Sequence, residues 1–421
     1  MQPSNLSNSQ DNEINKEQES SPSLIEEGKS LVYSYLGKIS KKLPVFYNPV
    51  MKDNRSLTIL LLRALDRKSL RIALPLAASG VRGIRMLKEL PQECIKEILF
   101  NDLNEKAISI ITKNLEVNQL ENEKAKVKLF NEDAKIFLLR NRPFDYIDID
   151  PFGTPNPFLD SAISSLKNNG ILAVTATDTA PLCGTYVKAC IRKYWAFPLH
   201  NYLMNEIGLR ILIRKVQLIG LNYEIALLPF FSYAKDHYFR VFFKATKSKS
   251  QCIDIFNKHK ELVFINAEDF ISKGFPTIIA RKNKINNPDL FVDNILTLDE
   301  FNDLKNRLNL TGQIKAQIFG PIWTGQIFDK ELVSKIIDIN KKLNDLPLNK
   351  FLSILGEESK VNIVGFYDIH SLSKSFKKSP PKKSYVLSRL NEKGFFASET
   401  HFSPTAIKTD ASLSELIGLL F

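Results

Sequence analysis

Between residues 70 and 244 the chain alternates short apolar runs with longer amphipathic stretches, and this rhythm restricts it to a parallel β-sheet flanked by helices, an α/β fold. Five runs rich in β-forming residues, 70–74, 98–102, 126–130, 144–150 and 170–175, are each followed by a helix-compatible segment. Parallel neighbours need such crossovers. Two more apolar runs, 223–231 and 238–244, are separated by only a short polar link, so they are expected to pair antiparallel and close the sheet.

Residues 1–22 are rich in Ser, Asn, Gln and Glu with hardly any apolar side chains; they cannot offset the entropy of ordering and read as a disordered tail. At 421 residues the chain exceeds the size at which a single core stops growing. The expected division is 23–245 for the α/β domain and 246–421 for a smaller, Lys- and Asn-rich α+β domain. Within the latter, 368–396 reads as a helix, a Ser379-Pro380-Pro381 break, a second helix and a Gly394 turn into a short strand. That pattern suits a winged-helix-like unit.

Charge narrows the partners. The 58 Lys plus Arg outnumber 46 Asp plus Glu and leave a formal net charge of +12, which favours encounter with a nucleic acid or an anionic membrane without choosing between them. No apolar run approaches the length that spans a bilayer, and the N-terminus is polar; a cytoplasmic protein is expected. Cys94, Cys183, Cys190 and Cys252 form no C-x-x-C pair, so neither a zinc site nor a disulfide framework is expected.

Chemistry concentrates at the carboxyl ends of the expected strands. After the first comes Ala77-Ala78-Ser79-Gly80-Val81-Arg82-Gly83. Its small residues let a ligand approach the backbone at a helix N-terminus, although a tight ligand-free turn would use the same residues. Asp102 ends the second run, about 20 residues beyond the glycines, where an acidic side chain conventionally accepts from ribose hydroxyls. A helix cap is the competing role, one that Asn104 is better placed to fill. After the third run, Asp133 in Glu132-Asp133-Ala134 stands where an adenine edge would lie, and a cap competes there on equal terms.

The fourth run ends in Asp148-Ile149-Asp150-Pro151-Phe152-Gly153. A carboxylate, a proline and an aromatic in this order resemble the Asn/Asp-Pro-Pro-aromatic motif of methyltransferases acting on planar amino groups. Proline supplies no N–H, so Asp150 and a backbone carbonyl can both accept from an NH2 group and hold its nitrogen lone pair toward an activated methyl. Phe152 can stack on the base. An Asp-Pro turn would explain the proline and glycine but not the flanking carboxylate and aromatic. No covalent nucleophile is needed, so Cys183 reads as a small buried thiol.

Taken together these motifs place the chain beside a known family: it resembles the tRNA guanine-26 N2-dimethyltransferases of archaea and eukaryotes. The resemblance spans residues 46–410 and rests on pieces in fixed order. Besides those above they are Val45-Phe46-Tyr47-Asn48-Pro49 with Asn54-Arg55, Thr175-Ala176-Thr177-Asp178, Leu182-Cys183-Gly184 and Asp236-His237-Tyr238-Phe239-Arg240. Further on come Gly320-Pro321-Ile322-Trp323-Thr324-Gly325, Thr400-His401-Phe402-Ser403-Pro404 and Lys408-Thr409-Asp410. The resemblance implies a class I (Rossmann-like) methyltransferase domain that uses S-adenosylmethionine and acts on tRNA. It implies that Arg55, Arg82, Asp102, Asp133 and Ala134 contact the cofactor, and that Asp150 is the catalytic acceptor with Phe152 beside it. Arg55 would pair with the methionine carboxylate. Two departures stand out: Leu74-Pro75 occupies the place where relatives usually carry an acidic residue, and only Cys252 lies where some relatives insert cysteine pairs.

Three other readings compete. An NAD-dependent oxidoreductase would use the same sheet and ribose acid, but the full G-x-G-x-x-G is missing. A methyltransferase of DNA adenine or of a protein amide would keep the amine chemistry and change the partner. A non-catalytic RNA-binding protein on the same scaffold is favoured by Leu74-Pro75 and disfavoured by the intact Asp150 motif. For the RNA readings, Lys374, Lys377, Lys378, Lys382 and Lys383 suit a grip on phosphates, though a solvated helical face would look alike.

Overall fold

The computed structural model describes residues 22–35, 43–120, 126–273, 290–307, 314–343 and 346–421. All but the last residue of the expected tail lies outside them. At the centre is one seven-stranded sheet whose five parallel strands are Leu70–Leu74, Ile95–Asn101, Val127–Phe130, Phe144–Ile149 and Leu166–Ala176. Ile225–Lys235 and Tyr238–Lys247 complete it. Counted along the chain, the strands lie in the order 3-2-1-4-5-7-6. The seventh runs antiparallel to the fifth, with Arg240 opposite Thr175, and the sixth pairs back on it up to Lys235 opposite Tyr238. This is the expected α/β sheet, closed as expected by a hairpin, with Asp236 in the left-handed region at its turn (φ 51°).

Several strand boundaries moved, and pairing explains the two largest shifts. The fifth strand starts at Leu166 rather than 170 because Phe144 pairs with Leu166 across a bulge, drawing the polar Lys167-Asn168-Asn169 into the sheet. The sixth runs on to Lys235 because Ser232, Tyr233 and Ala234 face Val241, Arg240 and Phe239.

Strand order fixes the place of the site. The first and fourth strands are direct neighbours, with Ala73 opposite Ile147, and the second lies on the other side of the first. The chain therefore leaves the sheet in opposite directions at their carboxyl ends, which opens the crevice where α/β sheets bind ligands. The glycine loop, Asp102 and Asp150 follow these three strands. Helix Lys52–Leu65 is buried on nearly every face, as expected of a helix held between others; it packs on helix Val81–Glu89 and on helix Lys330–Leu343 from the second half.

An amino-terminal hairpin, Ser23–Glu27 with Ser30–Ser34, lies across helix Glu105–Val117. The Asn114 and Asn118 amides bond in both directions to the backbone of Tyr33 and Leu31, satisfying an edge that would otherwise be exposed.

In the second half, helix Leu346–Glu358, strand Tyr367–Asp368, helices Ile369–Ser375 and Lys383–Glu392 and the hairpin Ala397–Thr400/Ser403–Thr409 follow one another. The three strands lie in the order first, third, second, the arrangement of a winged helix. A buried ionic network joins this unit to the seven-stranded sheet. Glu206 accepts from Arg210 (2.9 Å) and from the Gly365 N–H (3.1 Å), and Lys408 bridges Glu206 and Glu358 at 3.2 and 3.3 Å. Glu358 accepts from the His401 ring at 2.6 Å, and the other ring nitrogen accepts from the Ala234 N–H. Arg210 also donates to the carbonyls of Trp323 and Gly325. Among the described residues no helix is long and apolar enough to cross a membrane.

Candidate active site

The first strand runs into a loop held in an uncommon backbone shape. Ala78 and Gly80 both have positive φ, 48° and 76°. A Cβ on Gly80 would press on Ile111 at 3.0 Å as well as strain the backbone, so the position calls for glycine. Ala78 is kept there by Asp102, whose Oδ2 accepts the Ala78 N–H at 2.8 Å while Oδ1 accepts the Asn104 N–H at 3.0 Å. Asn104 in turn caps helix Glu105–Val117. Asp102 is thus no cap: it braces the loop and lines a cavity of about 480 Å³.

Arg55, Arg82, Asp150 and Phe152 share that cavity wall with Asp102, and Leu74 and Leu76 give it an apolar face. Asp133 and Ala134 are not on the wall. The Oδ1 of Asp133 accepts from the N–H groups of Lys135 and Ile136 at 2.9 and 3.3 Å, so the cap role that competed in the sequence is occupied. Asn131, two residues earlier, ties this loop to the site by donating to the carbonyls of Asp102 and Leu103.

Asp150 stands just beyond the fourth strand with its Oδ2 2.5 Å from Nη2 of Arg82. Behind this pair is a group that sequence reasoning did not single out. Asp148, fully buried, takes two bonds from Arg240 (2.9 and 2.7 Å) and one from the Tyr146 hydroxyl (2.6 Å), with Arg82 at 3.6 Å. Burial pushes the Asp148 carboxyl upward, but Arg240 and then Arg82 outweigh it and hold the group below its usual range. Thr58, from the buried helix, accepts from both arginines. A charged residue amid each of two apolar strands, Asp148 among Tyr146, Ile147 and Ile149 and Arg240 beside Val241, Phe242 and Phe243, was the signal available.

Phe152 is half-exposed at the mouth and meets Phe46 edge to face, with centroids 3.9 Å apart. The Gly153 N–H donates to Thr177 (2.7 Å) and the Thr177 N–H returns to the Gly153 carbonyl, so the Asp150 turn is stitched to the end of the fifth strand. Cys183 is buried, and burial raises its thiol to about 12, which suits a packing role rather than a nucleophile. No three His, Cys, Asp or Glu among the described residues are grouped to hold a metal ion.

Arg55 is committed to a partner the sequence did not reveal. Its Nε and Nη2 grip both oxygens of Glu27 in the amino-terminal hairpin at 2.6 and 2.5 Å. Arg85 and the Tyr47 hydroxyl also bond to Glu27. Burial pushes Glu27 upward, but Arg55, Arg85 and Tyr47 together pull it down to about 2.

Known proteins are similar to this chain in sequence and in fold. The family model described as N2,N2-dimethylguanosine tRNA methyltransferase matches residues 20–420. The tRNA (guanine(26)-N(2))-dimethyltransferase of Methanocaldococcus jannaschii is 35% identical over 394 residues, covering 91% of this chain and 94% of that protein. The tRNA (guanine(26)-N(2)/guanine(27)-N(2))-dimethyltransferase of Aquifex aeolicus is 33% identical over 405 residues, 94% of each. Among solved structures, that of Trm1 from Pyrococcus horikoshii with S-adenosyl-L-methionine superposes with a TM-score of 0.76 at 29% identity, covering 94% of this chain and 99% of that one.

Proposed function

The chain belongs to the N2,N2-dimethylguanosine tRNA methyltransferase family, and from that premise we propose that it methylates the exocyclic N2 amine of guanine 26 in tRNA, adding one or two methyl groups from S-adenosylmethionine. The observation that carries this reading is the Arg82–Asp150 pair on the wall of a cavity that also holds Asp102. S-adenosylmethionine supplies a methyl group activated by a positively charged sulfur. The residues present fit such a molecule: an apolar wall, a brace of the ribose-binding kind and two arginines.

Each side chain then has a task. The two backbone bonds that Asp102 accepts leave lone pairs for ribose hydroxyls. Arg55, held by Glu27 through Nε and Nη2, has Nη1 left to reach a carboxylate. Asp133 and Ala134 belong to the same proposal as contacts to the adenine, supported by the Asn131 link between their loop and Asp102. Asp150, with Oδ2 fixed by Arg82, accepts an N–H of the guanine amine on Oδ1 and so fixes where the nitrogen lone pair points. Phe152, with Phe46 against its edge, stacks on the base. The division near residue 245 into a catalytic part and a part that grips tRNA is included, supported by the sheet ending at Lys247. A cytoplasmic location accords with four free cysteines.

Incubation with methyl-labelled S-adenosylmethionine and unmodified tRNA, followed by nucleoside analysis, tests the reading. Label is expected in N2-methylated guanosine at position 26 and not in a transcript carrying adenosine there. Label in DNA adenine or a protein amide, or none at all, overturns it.

A further inference from the structure

Helix Val187–Tyr194 packs Cys190 and Tyr194 inward and shows solvent an apolar stripe, Val187 and Ile191, beside a basic one, Lys188 and Arg192. It carries no acidic side chain. The residue that ends it is unusual. Trp195 sits at the C-cap in the left-handed region (φ 56°, ψ 41°), with its N–H on the Ile191 carbonyl at 3.0 Å. Glycine or asparagine is the ordinary choice there, and a bulky side chain is an outlier.

Core packing does not account for the tryptophan, because the residue is 54% exposed. Its ring is nonetheless held firmly. The ammonium of the buried Lys215 lies 2.9 Å from the ring centroid on one face, and Arg214 donates to the Trp195 carbonyl. One face of the indole is thus occupied by a cation and the remainder meets solvent. Phe197, two residues on and also exposed, is fixed by paired backbone bonds with Gly320 (2.7 and 2.8 Å). Strained backbone that displays a rigid side chain is retained where the side chain has work to do.

The same helix is tied to the catalytic turn. The Tyr194 hydroxyl bonds to Thr154 (3.0 Å) and Asp178 (2.6 Å), Lys193 pairs with Asp178 at 3.1 Å, and Asn156 donates to the Lys193 carbonyl. Thr154 is four residues beyond Asp150. We propose that Trp195 is a stacking platform for an unpaired nucleobase of the RNA substrate beside the guanine being methylated. The inference rests on the functional reading above. A base pulled from a folded RNA leaves its neighbours unstacked, and an aromatic face recovers part of that loss. Lys188 and Arg192 would meet the phosphates on either side. This combination of ring and cations favours RNA over an apolar protein partner.

The chain has two tryptophans, and the second, Trp323, is buried, so a change in intrinsic fluorescence on RNA binding reports chiefly on Trp195. Unmodified tRNA should quench the wild-type emission and leave that of Trp195→Phe nearly unchanged, while Trp195→Phe keeps most of the affinity. Trp195→Ala and Trp195→Gly should raise the Kd and KM for tRNA about 5- to 100-fold, with cofactor affinity unaltered. Glycine relieves the left-handed backbone and so offsets the lost contact with Lys215; Trp195→Gly should melt close to wild type, which separates lost stacking from lost folding. Wild-type tRNA affinity and KM in Trp195→Gly, or loss of self-association in place of RNA binding, overturns the platform alone. Failure of the wild type to methylate tRNA overturns the functional reading as well.

Discussion

Arg82 Nη2 donates to Oδ2 of Asp150 at 2.5 Å, and among the described residues Oδ1 of Asp150 has no hydrogen-bond partner. One oxygen of the proposed acceptor is therefore anchored by a buried guanidinium and the other is left for a donor arriving in the cavity. Arg82 is itself fixed by Thr58 (3.1 Å) and by the charge of Asp148, so the direction of that free oxygen is set from behind.

Replacing Asp150 with Ala should lower turnover on the order of a hundredfold or more, the usual cost of one transition-state acceptor. The affinity for S-adenosylmethionine should stay near wild type. Single-turnover kinetics and calorimetry measure the two separately, and near-normal turnover would remove Asp150 from the chemistry.

Asp102→Ala should weaken S-adenosylmethionine binding by roughly 1.5–3 kcal/mol, the value of hydrogen bonds to a charged group. The same change frees the Ala78 N–H, so Asp102→Asn, which keeps an acceptor for it, is the companion variant. Unchanged cofactor affinity in folded Asp102→Ala would leave Asp102 as a loop brace only.

Glu27 makes the site acid-sensitive. Its folded-state pKa of about 2 lies below the usual 4.5, so it contributes stability that is fully present above pH 4.5 and is lost as the pH falls toward 2. At 1.36 kcal/mol per unit this amounts to about 3 kcal/mol. Denaturant unfolding of wild type and Glu27→Gln across this window should show the steeper acid loss in the wild type; parallel curves would contradict it.

The lysines of the winged-helix unit are not equivalent. Lys374, Lys377, Lys378 and Lys382 are exposed, whereas Lys383 donates to the Pro404 carbonyl (2.9 Å) and pairs with Glu399 (3.0 Å). Neutralising the four exposed ones should weaken tRNA binding and reduce the slope of log affinity against log salt by up to about 3.6, at roughly 0.7–0.9 per phosphate. Neutralising Lys383 alone should leave the slope unchanged. If affinity and slope both hold in the fourfold variant, the RNA grip lies elsewhere on the molecule.

The alternation of apolar runs determined the sheet, because a parallel strand covered on both faces must be apolar along its length and its crossover must be long. The strand ends carried Asp102 and Asp150 to the crevice for the same reason: strand order follows from connection lengths and handedness. The glycine loop was equally legible, since a positive φ at Gly80 leaves few choices of residue. Tertiary structure alone decided the rest. Nothing local in Glu27 announces that it will bind Arg55 from 28 residues away, and nothing in Arg240 announces that it will neutralise Asp148 across 92 residues. The segments Gly320 to Gly325, Thr400-His401 and Lys408 stand out in the sequence, yet only packing brings them together on Glu206, Arg210 and Glu358. Charges buried at long range depend on which surfaces meet, and a linear pattern encodes the period of each surface but not its partner.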